Sequence, residues 1–295
     1  MFSTIFFLSA AIQVTQITFS VPQEKMLPVP EPDKIIAKLN GKDIKAKEVE
    51  KFLWDWFGNQ TLQVLIGAAM IEDAAKEAGI TVEHEEVVAQ VEQQIGHLRA
   101  RVPPGKTLEE QLRLQGTSYT RYYIQARAEL LGRKIVLKSF NPEDLRQLSQ
   151  IIIRPKGKED KDKEEAKLRA QQAYNQIKGG ESWQNAVMTF TDDPTTKANA
   201  GRLGWVSLVE LPEETREQVR QLKQGEICGP FDTQYGFVIF RVDAIGPPTE
   251  SELEVAKNRF ISRRLMQLYR EINEKAKVEN LLLPSGDKVD KGKHP

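Results

Sequence analysis

Cysteine and net charge are what this sequence has least of. Its 295 residues include a single cysteine, Cys228, which excludes an internal disulfide framework. Basic and acidic residues number 42 each, so the formal net charge is zero. A zero net charge gives no reason to expect nucleic acid or an anionic membrane surface as a partner. The lone thiol is interpreted as a small, buried and inert side chain.

Histidine is also scarce, and its placement argues against two kinds of site. The three histidines, His84, His97 and His294, have no partners at metal-ligand spacing, so no metal site is predicted. None of them lies between residues 141 and 247, so Cys228 lacks the usual base that activates a nucleophile. We predict no cofactor.

The apolar run at the N-terminus, residues 2–12, is too short to span a bilayer. It is typical of a secretory signal peptide, with a small-x-small cleavage site at residues 18–20, although no basic residue precedes Lys25. We therefore expect residues 1–20 to be a signal peptide and the protein to be exported to the periplasm or cell envelope. A cytosolic N-terminal tail is the alternative. No Leu-x-x-Cys pattern predicts a lipid anchor here, so the membrane is expected only as a peripheral or export context.

Forty per cent hydrophobic and 28% charged residues are typical of a soluble globular protein, and the length suits about two domains. Residues 21–33 form a proline-rich linker. Residues 34–140 show helical periodicity, including a stripe of Val49, Phe52, Leu53, Trp56 and Phe57. Packing in a helical core is the default for such a stripe. The alternative is an exposed surface that binds other chains, formed with Trp54, which lies off the stripe, and the tyrosines Tyr119, Tyr122 and Tyr123.

The most specific pattern in the chain runs from Phe190 to Val242. Periodicity predicts helix, loop, strand, helix and strand around one small sheet, ending in the alternating strand 237–242. The spaced landmarks, in order, are Asp193, Leu203-Gly204-Trp205, Leu222, Gly225-Glu226-Ile227, Pro230, Thr233 and Tyr235-Gly236.

This order of residues resembles the parvulin family of peptidyl-prolyl isomerases. In that family S-x-D/C is followed by G-G-D-L-G-W/F, by L-x-x-G-E-hydrophobic-S-x-P and by T-x-F/Y-G-x-H. The resemblance implies prolyl isomerase activity that needs no metal or cofactor. It also implies a proline pocket above a hydrogen-bonded polar cluster.

The resemblance assigns the site residue by residue. The catalytic positions are Gln150, Asp193, Thr233 and Val238, and the substrate-binding positions are Leu203, Leu211, Thr215 and Phe237. Gln150 and Val238 stand where the family has histidines, and Thr215 stands where it has an aromatic residue. Gln150 can still hydrogen-bond Thr233 or Asp193, so the fold can survive the exchange, and we expect catalysis to be reduced.

The segment before this domain resembles the N-terminal helical domain of SurA-like and PrsA-like exported foldases. The matching pieces are A-x-L-N-G-x-x-I at 37–44, A-K-E-A-G-I-T-V at 75–82 and L-R-L-Q-G-T-S-Y-T-R-Y-Y-I-Q-A-R at 112–127. In those proteins the helical domain helps bind unfolded chains. The resemblance therefore implies unfolded or proline-containing polypeptides as partners.

The predicted fold class is α+β. A helical domain at 34–140 precedes a parvulin-type (FKBP-like) domain at 141–247, whose small antiparallel sheet is flanked by helices. A C-terminal helix at 248–282 is expected to return to the helical domain and pack on it, and 283–295 are expected to be disordered.

Three functions remain open from the sequence. The first is a foldase for exported proteins that isomerises prolyl bonds with an active site that lacks histidine. The second is a weakly active or inactive parvulin-like chaperone that binds unfolded chains. The third is a structural module that assembles with other envelope proteins.

Overall fold

A computed structural model describes residues 17–282. Most of the predicted signal peptide and the whole predicted tail lie outside the described residues. The chain divides into two compact units. One comprises the chain up to Gly132 together with the chain from Ile272, and the other is Arg133–Glu271.

The first unit is helical apart from one hairpin. Its strands are β1 (Ile35–Leu39) and β2 (Lys42–Lys45), which pair antiparallel with each other. Its helices are α1 (Ala46–Leu53), a π-helical turn (Trp54–Gly58), α2 (Asn59–Glu77), α3 (His84–Ile95), a 3-10 helix (Gly96–Arg101), α4 (Leu108–Leu114) and α5 (Tyr119–Leu137), which continues past the boundary.

The core of this unit follows the helical periodicity of its sequence. Along α3, Val87, Val91 and Ile95 recur at four-residue spacing and are fully buried. Tyr119 and Tyr123 share the buried face of α5, and the Tyr123 hydroxyl lies 2.9 Å from Nδ1 of His84. The helical character expected for residues 34–140 is therefore confirmed.

The second unit is built on one four-stranded sheet. Its strands are β3 (Leu145–Ile153), β4 (Arg202–Ser207), β5 (Ile227–Thr233) and β6 (Gly236–Ile245). They lie in the order β4-β3-β6-β5, and every neighbouring pair is antiparallel. The helices are α6 (Asp160–Lys178), α7 (Trp183–Phe190), α8 (Pro194–Lys197), α9 (Glu213–Gln221) and α10 (Glu250–Lys275). The expected α+β class is confirmed.

Both faces of the sheet are buried, because successive strand side chains point to opposite sides. On one face, Ile151 and Ile239 pack against the alanine stripe of α6 and the apolar face of α7. On the other face, Ile152, Val238 and Phe240 cluster with Val219 of α9. The two faces thus belong to two separate apolar clusters, one beneath α6 and α7 and one beneath α9.

Helix α10 begins at the capping box that its sequence predicts. The Thr249 amide donates to the Glu252 carboxylate at 2.9 Å, and the Glu252 amide donates back to the Thr249 hydroxyl at 3.4 Å. Of the predicted segment 248–282, residues up to Glu271 fall in the sheet-containing unit and residues from Ile272 fall in the helical unit. Within residues 17–282, no helix is long and apolar enough to cross a membrane.

Candidate functional site

The site predicted from the sequence falls on the α9 face of the sheet. Leu203 and Leu211 are half-buried and pack against the apolar cluster that includes Val238. Val238 itself is 3% exposed, so it forms part of the apolar floor of the site and supplies no polar group. Thr215 is buried near the start of α9. Leu203, Leu211 and Val238 form the apolar part of the candidate site.

Leu203 occupies its position because β4 is interrupted there. In the pairing of β4 with β3, Arg202 faces Ser149 and Gly204 faces Leu148, so Leu203 has no partner. This is a β-bulge, a feature that bends a strand and redirects a side chain. Gly204 has a φ of +77°, which lets the chain turn at the bulge.

Gln150 lies in the middle of β3. Its backbone amide donates to the Gly201 carbonyl at 2.8 Å, and it stands opposite Phe240 in β6. Its side chain forms no hydrogen bond to Thr233 or Asp193. The Thr233 hydroxyl donates to the Gly236 carbonyl at 2.7 Å within the turn between β5 and β6.

Asp193 is the charged member of the site. Its carboxylate accepts hydrogen bonds from the Thr196 hydroxyl at 2.7 Å and from the Thr195 amide at 3.3 Å, which caps the short helix α8. The Thr196 bond, the Thr195 bond and the cationic Arg154, 3.9 Å away, lower the pKa of Asp193 despite its burial. Asp193 is therefore ionised at neutral pH.

Sequence reasoning missed how Asp193 is held in place. Beyond the N-terminal end of β4, the Thr191–Asp193 segment lines the edge of β3. The amide of Asp192 donates to the Ile152 carbonyl at 2.7 Å, and the amide of Ile152 donates to the Thr191 hydroxyl at 3.2 Å. The threonine and the acidic pair before a proline were a signal available in the sequence.

Phe237 lies apart from Leu203, Leu211 and Val238. It belongs to the cluster beneath α6 and α7, with Ile151 and Trp183, on the opposite face of the sheet from Val238. Adjacent strand residues cannot share a face, so Val238 and Phe237 cannot both line the same pocket from within β6. On the α9 face the structure brings together Leu203, Leu211 and Val238, and Phe237 is not among them.

A shallow depression opens at the turn that joins β5 to β6. Its volume is about 440 Å³, and its lining includes Arg154, Lys163, Thr233 and Tyr235. Lys163 is paired with Asp232 at 2.7 Å, so the depression carries charges of both signs. Thr233 and Phe237 are the two predicted site residues that line it.

Cys228 is buried in the α9-side cluster, so the expectation of a buried thiol is confirmed. Burial raises its pKa to about 12, which keeps the thiol neutral over the physiological range. Because only the unfolded chain ionises near pH 9.0, the stability contributed by this group is complete below that pH. It is lost as the pH rises from about 9 to about 12.

We expect a thiol reagent such as Ellman's reagent to leave Cys228 unmodified in the folded protein at pH 8. In denaturing urea the same thiol should react stoichiometrically, because unfolding restores an ordinary pKa. Absorbance of the released thiolate measures both reactions. Rapid labelling of the folded protein would contradict the burial.

A second surface of interest lies in the helical unit. The side chains of Phe52, Trp54, Trp56 and Phe57 are 54%, 61%, 66% and 50% exposed. The rings of Phe52 and Trp56 lie 5.4 Å apart, and those of Trp56 and Phe57 lie 6.3 Å apart. The default expectation of core packing is therefore wrong for this stripe, although it is correct for Tyr119 and Tyr123. We call these four side chains the aromatic surface.

The fold and site together define a parvulin-like α+β domain with an apolar binding face beside one ionised carboxylate.

Comparison with known proteins identifies the domain. Residues 151–244 match the family described as rotamase, PPIC-type PPIASE domain. These residues therefore form a peptidyl-prolyl isomerase domain of the PPIC type.

Two curated relatives share part of the chain. The chaperone SurA of Pseudomonas syringae pv. syringae (strain B728a) is 34% identical over 136 residues, which cover 44% of this chain and 31% of that protein. The chaperone SurA of Alkalilimnicola ehrlichii is 29% identical over 126 residues, 43% of this chain and 28% of that protein. The chain thus spans about a third of the length of these relatives.

Among solved structures, the peptidylprolyl isomerase PrsA from Bacillus anthracis is 18% identical to this chain. It aligns with 75% of this chain and 100% of its own, at a TM-score of 0.47.

Proposed function

We propose that this protein catalyses cis–trans isomerisation of Xaa-Pro bonds in polypeptides. The observation that carries the proposal is the pair of half-buried leucines, Leu203 and Leu211, on the α9 face of the isomerase-family domain. A proline ring needs an apolar pocket of this kind, open on one side to the rest of its chain.

Prolyl isomerisation requires little chemistry from the side chains of the enzyme. The barrier of about 18–20 kcal/mol arises from amide resonance, and spontaneous exchange takes tens to hundreds of seconds. Leu203, Leu211 and Thr215 would hold the proline ring and keep water from the imide, which favours the twisted form that has lost resonance. The ionised Asp193 and the side-chain amide of Gln150 are the polar groups proposed to lie beside the imide. Without histidines, we expect a slow enzyme.

The test is exchange-rate NMR on a short Xaa-Pro peptide with the intact protein. We expect acceleration by the wild type and a loss of roughly tenfold or more on Leu203→Trp, because the added ring fills the pocket. Leu168→Trp is the matched control, since Leu168 is 63% exposed on α6 in the same unit. If the folded wild type gives no acceleration, the isomerase proposal is wrong.

The aromatic surface favours a second function, the binding of unfolded chains. Monomeric proteins rarely leave large contiguous apolar patches exposed, and those that do use them for binding. The curated relatives are named chaperones, which supports an unfolded polypeptide as the ligand of this surface. This function does not depend on catalysis at the isomerase domain.

Light scattering of an aggregating client protein tests this second function. The wild type should suppress scattering, and the double variant Phe52→Ser, Trp56→Ser should suppress it less. Leu114→Ser is the control, because Leu114 is 78% exposed on α4 of the same unit. If the double variant instead dissociates an oligomer in size-exclusion chromatography and suppresses scattering normally, the surface binds a second copy of this chain.

We also propose that the protein acts outside the cytoplasm after removal of residues 1–20. Intact-mass analysis of the protein from its native cells would detect cleavage near Ser20. A full-length mass for the mature protein would contradict this proposal.

A further inference from the structure

Two arginines of α10 reach the backbone segments that carry the pocket leucines. Arg259 donates from its guanidinium to the carbonyl oxygen of Leu203. One turn further on, the guanidinium of Arg263 lies 3.5 Å from the carboxylate of Glu210, which directly precedes Leu211. Yet α10 begins at Glu250, beyond the end of the matched domain at residue 244.

The Leu203 carbonyl needs a partner from outside the sheet. Because Leu203 is the bulged residue of β4, the register with β3 passes over it. A backbone carbonyl in such a half-buried place is normally hydrogen-bonded. Arg259 supplies that bond, and its guanidinium is close enough that a Cβ on Gly204 would lie 3.9 Å from it.

The position of Arg259 is set by its neighbours along the helix. Ala256, Phe260 and Ile261 are each at most 4% exposed, and the rings of Phe260 and Phe140 lie 5.1 Å apart. These contacts fix the rotation of α10, so the Arg259 side chain leaves the helix on the side of β4.

Arg259 sits in a costly environment for a cation. Burial, together with the nearby Arg263, lowers its pKa, and its hydrogen-bond acceptor is a neutral carbonyl rather than a carboxylate. An apolar side chain would fill the same space without that cost. Packing alone therefore does not explain why a guanidinium occupies this position.

We propose that Arg259 is a positioning residue of the isomerase site. It holds the Leu203 carbonyl at the bulge, which sets the direction of the Leu203 side chain in the proline pocket, while Arg263 steadies Glu210 next to Leu211. Helix α10 is then part of the substrate-binding site of this chain. The part of this inference that concerns substrate rests on the proposed isomerase function.

The variants are Arg259→Met, which keeps the apolar stem, and Arg259→Lys, which keeps a donor. Lys257→Met is the control, because Lys257 lies on the same helix and its partner is the exposed Glu254 at 3.5 Å. We expect Arg259→Met to raise the KM for an Xaa-Pro peptide roughly tenfold, as for loss of a hydrogen bond to a charged group, with kcat little changed. Arg259→Lys should recover part of this loss, and Lys257→Met should behave as the wild type.

The methyl resonances of Leu203 and the amide resonance of Gly204 in the free protein give a second readout. The chemical shifts of both should change in Arg259→Met and remain unchanged in Lys257→Met. If they do not move, or if KM is unchanged, the positioning role is overturned. If the wild type shows no isomerase activity, the proposed function fails, while these resonances still decide the positioning. If Arg259→Met does not fold, the same criteria are applied to Arg259→Lys.

Discussion

Replacing Gly201 with alanine is expected to destabilise the sheet-containing unit by about 3–5 kcal/mol. Gly201 has a φ of +77°, which is unfavourable for alanine by about 1–2 kcal/mol. More important is the space around it. A Cβ there would overlap the carbonyl oxygen of Gln150 and lie 3.3 Å from the Cγ2 of Val187. Neither the β3 backbone nor the α7 side chain beneath it can move without disturbing the sheet.

Gly225→Ala is the matched control for this prediction. Gly225 has a φ of +86°, but no atom lies within 4 Å of the Cβ it would carry. Gly225→Ala should therefore lower the stability only through the unfavourable backbone conformation, by about 1–2 kcal/mol. Amide hydrogen exchange of β3 and β6 in the intact protein measures the opening free energy of this unit separately from the helical unit. Equal losses in the two variants would contradict the close approach of Gly201 to Gln150.

The second large effect is expected at Phe260 in α10. This ring is fully buried, and its replacement by alanine should cost about 3–5 kcal/mol, from lost transfer free energy and the cavity left behind. Because Phe260 packs on Phe140 in the sheet-containing unit, the loss should appear in the exchange of β3 and β6 amides. Truncation of a side chain elsewhere on α10 should not reproduce it.

Val255→Ala provides that comparison, since Val255 is 69% exposed on the same helix. Its effect should lie within about 0.5 kcal/mol of zero. If Phe260→Ala leaves the exchange of β3 and β6 unchanged, α10 is not integral to this unit. That outcome would also remove the basis for a fixed Arg259.

The isomerase domain was predictable because its pattern is local and closely spaced. Leu203-Gly204-Trp205 and Gly225-Glu226-Ile227 each belong to one strand or turn, and their order along the chain is enough to identify the domain. The strands follow from alternation, which a single stretch of sequence displays.

The errors in the sequence prediction have a different origin. Phe237 was assigned to substrate binding and its neighbour Val238 to the catalytic cluster of the same site, although the two side chains point to opposite faces of β6. The aromatic stripe was expected to be covered, yet Trp56 remains 66% exposed. Amphipathic periodicity shows that a helix has an apolar face, but it does not show what lies against that face.

The sequence by itself determined the helical character of the first unit and the antiparallel α+β domain, because these depend on short-range periodicity and motif order. Only the tertiary structure decided that Leu203 forms a bulge, that Thr191–Asp193 lines the edge of β3, and that Arg259 completes the hydrogen bonding of Leu203. Arg259 and Leu203 are 56 residues apart, and no local pattern links them. Their contact exists because the buried residues of α10 direct the Arg259 donor toward β4, where the Leu203 carbonyl has no partner in β3.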